Sequence, residues 1–68
     1  MDSRDIENRF TYHAPTPEDV ALHEHVRETV REVANGFNEV LPESREKSLA
    51  MTHLEEAVMW ANAAIARH

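Results

Sequence analysis

The stretch LPESREKSLAMTHLEEAVMWANAAIA, residues 41–66, decides the fold. Leu41-Pro42 ends whatever precedes it, because proline disfavours helix at the residue before it and supplies no backbone N–H. Ser44 then offers a side-chain oxygen to cap a new helix, although Pro42-Glu43 also suit a slightly earlier start. Beyond that point Met51, Leu54, Val58, Ala61 and Ile65 step by 3 and 4 residues, a stripe on one helical face. Ala50, Ala57 and Ala64 repeat every seven residues beside it. Leu49 and Trp60 add apolar surface outside both stripes. One partner helix cannot cover so much of the circumference, and the small alanines allow another backbone to come close. Such a surface marks an interface, so the stretch predicts self-assembly as well as a helix.

Working upstream, a first helix opens with Thr16 as N-cap and Pro17 at the first helical position. Glu18 and Asp19 place negative charge at the positive end of its dipole. Val26, Val30, Val33, Phe37 and Val40 recur at spacings of 4, 3, 4 and 3, which predicts a seam. Gly36 weakens this helix without breaking its pattern. Two helices joined by a few residues run antiparallel. The expected architecture is therefore all-α: a hairpin over 17–68 with helices at about 17–41 and 44–66, preceded by an extended N-terminal arm over 1–16. The arm mixes charges with Ile6, Phe10 and Tyr12, shows no sustained period, and ends in Ala14-Pro15-Thr16-Pro17.

A chain of 68 residues is one small domain, and at this size only roughly 60% of the unfolded surface is buried. With no cysteine, neither disulfides nor thiolate metal sites are available, which again favours a homo-oligomer. No apolar run approaches the ~20 residues that cross a bilayer, and Met1-Asp2-Ser3-Arg4-Asp5 lacks a signal peptide's pattern, so a cytoplasmic location is expected. The net charge of −6 argues against charge-driven binding to DNA, RNA or anionic membranes. It leaves room for a small anion held by a few arginines in a shaped pocket.

Three stretches are candidates for binding. Arg9-Phe10-Thr11-Tyr12-His13 combines two aromatics, a cation and a histidine, which suits stacking on a base beside a phosphate; Phe10 and Tyr12 equally suit tethering the arm to the helices. Arg45 and Lys47 sit at the second helix's N-terminus, where free backbone N–H groups attract anions, although solvated charges after a serine cap are the commoner arrangement. Arg27 and Arg31 lie one turn apart among Glu24, Glu28 and Glu32, a pattern equally typical of a solvated face. Metal binding and catalysis find no support. His23 and His25 are two residues apart and point to different sides of a helix, Glu55 and Glu56 are adjacent and diverge, and the single glycine makes no phosphate loop.

These residues resemble a family. Arg9-Phe10-Thr11-Tyr12-His13 followed by Pro15, Ser44-Arg45-Glu46-Lys47-Ser48-Leu49-Ala50, and the block from Leu54 to Ala66 are similar to the small phage-encoded anti-CBASS proteins. Those are cyclic-oligonucleotide sponges that share a helical-hairpin domain with Thoeris anti-defence sponges. The likeness covers nearly the whole chain after residue 8. It implies a hexamer in the cytoplasm of an infected bacterium that sequesters cyclic dinucleotides or trinucleotides intact, with no cofactor and no chemistry. By the same resemblance, Tyr12 stacks on a base of a cyclic dinucleotide and Arg27 contacts its phosphates, in place of a lysine in the family. Thr29 lies nearby on that helix, and Arg67 corresponds to a separate trinucleotide site. Ring-closed ADP-ribose is a further ligand class within the family. Two other readings stand beside this one: a helical protein–protein interaction module with no nucleotide ligand, and an enzyme that degrades the nucleotide.

Overall fold

The computed structural model describes residues 2–12 and 14–68, and all its regular structure is helical. Helix α1 spans Ser3–Phe10, α2 spans Pro17–Val40, and α3 spans Arg45–Arg67. The two long helices start where their caps require. Thr16 Oγ1 accepts from Asp19 N at 3.2 Å while Asp19 Oδ2 accepts from Thr16 N at 3.1 Å, a reciprocal capping box. Ser44 Oγ accepts from Lys47 N at 3.1 Å and donates to Pro42 O at 3.0 Å. One side chain thus closes the turn and opens α3.

The N-terminal segment departs from expectation. Residues expected to be an extended arm form α1, capped by Asp2, whose Oδ1 accepts from Arg4 N at 3.0 Å. Its polarity suits its dipole, with Asp5 in the first turn and Arg9 in the last. Two turns carry only Ile6 and Phe10 as an apolar pair, too short a run for the period to stand out, and an isolated helix of eight residues is marginal.

α2 and α3 pack antiparallel along a shared seam. Val26, Val30, Ala34 and Leu41 from α2 and its C-cap meet Met51, Leu54, Val58, Ala61 and Ile65 of α3, all half-buried. The α3 stripe is the one its spacing predicts. The α2 seam is so only in part: Val26 and Val30 lie in it, but Val33 and Val40 turn to the flank, with Val40 left 74% exposed, while Ala34 and Leu41 take inner places. A run stepping by 4, 3, 4 and 3 repeats every 3.5 residues and so drifts by roughly 20° per heptad on a helix of 3.6 residues per turn, which carries Val33 and Val40 out of the seam. Gly36 lies inside α2, where glycine costs about 1 kcal/mol relative to alanine.

Two polar contacts lock the pair at its ends. At the turn, Lys47, the one buried residue among those described, donates from Nζ to Asn38 O at 3.2 Å and pairs with Glu43. At the open end, His23 Nδ1 lies 2.9 Å from Asn62 Oδ1. With that amide oxygen as acceptor, the ring carries its proton on Nδ1.

The molecule is a slab of 46 × 30 × 11 Å, one helix thick. Its radius of gyration of 15.4 Å exceeds the roughly 11 Å of a compact chain this long. Among the described residues no apolar side chain is fully buried. Among the same residues no helix is long and apolar enough to cross a membrane.

Candidate functional site

Two concave surfaces are edged by arginines. The first is a groove of about 310 Å³ along one face of the hairpin, between α2 and α3. Val30 and Ala34 meet Met51, Leu54 and Val58 to form its apolar floor, the open side of the hairpin seam. Arg27 and Arg31, one turn apart, edge it from α2, and Glu55 edges it from α3. Arg31 is partly engaged, its Nη1 donating to Glu28 Oε1 at 3.1 Å. Arg27 makes no ion pair among the described residues and keeps its donors free.

The second surface is a cleft of about 340 Å³ where the end of α1 meets the far side of α3. Arg9 and Phe10 line it from α1, Trp60 and Arg67 from α3. Trp60 and Arg67 are seven residues apart, two turns of one helix, and therefore project from the same face. The cleft thus brings together two guanidiniums and two aromatic rings. Phe10 is 83% and Trp60 70% exposed, so neither ring fills a core. A guanidinium pairs a phosphate with two parallel N–H donors, and an exposed ring accepts a base by stacking. The combination is chemically matched to a nucleotide.

The residues singled out from sequence are distributed as follows. Arg9, Phe10 and Arg67 come together in the cleft, and Arg27 stands apart in the groove. Tyr12 is 83% exposed and lines neither surface. His13 lies outside the described residues. Thr29 is two residues beyond Arg27, so it is turned by roughly 200° to the opposite side of α2. Within one chain, the two cannot touch the same small ligand. Arg45 is exposed in the first turn of α3.

Lys47 corrects the sequence expectation most clearly. Its ammonium is held by the Asn38 carbonyl and the Glu43 carboxylate, and its side chain is only 8% exposed. The charge offered to an incoming phosphate satisfies the end of α2 instead, where helical carbonyls lack partners. Trp60, by contrast, stands in the sequence only as surplus apolar surface. Its seven-residue spacing to Arg67 is visible in the sequence, but its pairing with Phe10 depends on where α1 folds.

No three His, Cys, Asp or Glu side chains gather as metal ligands would among the described residues. A family model described as "Acb2/Tad1, hairpin domain" matches residues 1–66. No curated protein and no solved structure matches the chain.

Proposed function

The chain belongs to the Acb2/Tad1 hairpin-domain family, and on that premise we propose that it binds cyclic oligonucleotide messengers and holds them without cleavage. The family is one of cyclic-oligonucleotide sponges, a binding domain rather than a catalytic one. The proposed ligands are cyclic dinucleotides such as 3′,3′-cyclic GMP–AMP, with cyclic trinucleotides as a second class. Sequestered in the cytoplasm of an infected bacterium, the messenger never reaches its immune effector. Phage origin and assembly as a homo-oligomer, six-membered by family resemblance, belong to the same proposal.

The observation that carries this reading is the Arg9–Phe10–Trp60–Arg67 cleft. A cyclic oligonucleotide offers flat bases joined by anionic phosphates, and the cleft offers two ring faces beside two bidentate donors. Arg27 on the groove edge supplies a further free cation. Tyr12, exposed just beyond α1, is the proposed stacking partner of a base, its ring enclosed by a neighbouring copy. The overall charge of −6 does not oppose such a ligand, because these cations act locally.

One other reading has an observation in its favour. The broad uncovered apolar flank of the hairpin also suits a protein-docking module with no nucleotide ligand.

Titration calorimetry with 3′,3′-cyclic GMP–AMP separates the readings when wild type is run beside Tyr12→Ala and Arg67→Ala of verified assembly state. The expected result is saturable binding by wild type, weakened at least tenfold by one substitution, with the ligand recovered unchanged after denaturation. Silence across a panel of cyclic di- and trinucleotides and ring-closed ADP-ribose isomers would sink the sponge reading. Cleaved ligand would instead identify an enzyme.

A further inference from the structure

Beyond the cleft's four lining residues, the face of α3 that carries Trp60 continues toward the hairpin turn. At about 100° per residue, Arg67 lies roughly 20° from Trp60 around the helix, Glu56 roughly 40° and His53 roughly 20°. All four therefore share one face, in the axial order Arg67, Trp60, Glu56, His53. At a rise of about 1.5 Å per residue, Arg67 is roughly 10 Å from Trp60 along the axis. Glu56 lies roughly 6 Å from Trp60 in the other direction. A cation, an aromatic ring and a carboxylate thus stand in line.

A nucleotide carries its parts in a matching order: phosphate, sugar, base face and, furthest out, the base's hydrogen-bonding edge. A phosphate at Arg67 and Arg9 with its base on Trp60 directs that edge toward Glu56. The reverse orientation sets the phosphate beside the carboxylate, and like charges repel. The charges at the two ends of the line therefore fix the direction of the ligand.

Glu56 is available for such a contact. Its side chain is 53% exposed. Its one partner among the described residues is His53, whose Nδ1 lies 3.6 Å from Glu56 Oε2, too far for a hydrogen bond. An ionised carboxylate only accepts. Guanine offers two adjacent donors on its outer edge, N1–H and the N2 amino group, which the two carboxylate oxygens match as a pair. Adenine sets a bare N1 acceptor beside its amino group, so one carboxylate oxygen would face a lone pair.

We propose that Glu56 makes the cleft selective for guanine, accepting from N1–H and the N2 amino group of a base stacked on Trp60. This rests on the nucleotide-binding reading above and adds which base the cleft takes.

Trp60 is the only tryptophan in the chain, so its fluorescence reports on this cleft. The test titrates wild type and Glu56→Gln with cyclic di-GMP and with cyclic di-AMP, following Trp60 emission and calorimetric heat together. The two ligands share sugars and phosphates, so the ratio of their dissociation constants isolates the base. Wild type should bind cyclic di-GMP at least about tenfold more tightly, the discrimination that one bidentate base contact supplies. Glu56→Gln keeps the side chain's shape but exchanges an acceptor for a donor, and should bring the ratio below about threefold. A variant weakened only in its structure would lose both ligands equally, and an unchanged ratio overturns the role of Glu56. Equal affinities in wild type overturn it too. Heat without a change in Trp60 emission places the ligand elsewhere and overturns this inference alone. Silence in both readouts across the wider ligand panel overturns it together with the nucleotide-binding reading.

Discussion

The turn of the hairpin and the N-terminal helix both looked like cationic binding stretches, and the fold treats them oppositely. At the turn, Lys47 is buried, its ammonium held between the Asn38 carbonyl and Glu43, and Ser44 bridges Pro42 O to Lys47 N. On α1, no residue is buried, Phe10 is largely bare, and Arg9 faces a cleft beside Trp60 and Arg67. The difference lies in what surrounds each cation. Lys47 sits beside the C-terminal carbonyls of α2, which lack helical partners and need a donor. Arg9 sits beside aromatic rings, which offer its guanidinium no hydrogen-bond acceptor. A cation near unpaired backbone is drawn into the fold, while one among exposed rings stays available to a ligand.

The largest expected effect breaks or upholds this comparison directly. Lys47→Ala strips the donor from Asn38 O in a site the side chain almost fills, and should destabilise the chain by about 2 kcal/mol. Arg9→Ala, on an exposed helix, should change stability by less than about 0.5 kcal/mol. Urea unfolding at one fixed chain concentration measures both, since assembly makes stability concentration-dependent. Calorimetry should rank them in reverse, with ligand binding hurt by Arg9→Ala more than by Lys47→Ala. If Lys47→Ala unfolds like wild type but loses ligand, the turn is a binding site and the contrast is wrong.

The long helices were legible in the sequence because their ends carry chemistry that only a helix start satisfies. Thr16, Pro17 and Ser44 stand at or next to the places where the backbone turns. The inner stripe of α3 was legible too, from Met51 to Ile65. What escaped depended on more than one segment. Val33 and Val40 read as seam because a run of threes and fours does not by itself show how far it drifts round the helix from the partner. α1 escaped because Ile6 and Phe10 alone cannot establish a period over two turns. The cleft escaped with it. Arg9, Phe10 and Arg67 were individually nameable, but only the placement of the end of α1 beside α3 brings them to Trp60.

A smaller effect sharpens the comparison at the two helix starts. Thr16→Ala removes one half of the capping box on α2 and should cost about 1 kcal/mol in the same urea experiment. The equivalent change on α1, Asp2→Ala, deletes the acceptor for Arg4 N. Its intrinsic cost to α1 is of similar size, on the order of 1 kcal/mol. The global midpoint should nevertheless scarcely move, because α1 buries nothing and can fray while the hairpin stays folded. The change should appear locally, as faster amide exchange over residues 5–10, and functionally, as weaker binding once Arg9 and Phe10 are held less often beside Trp60. A midpoint shift as large as that of Thr16→Ala would mean that α1 unfolds together with the hairpin. The cleft would then be as much a part of the folded frame as the turn is, and the availability of Arg9 could not be attributed to a loosely held helix.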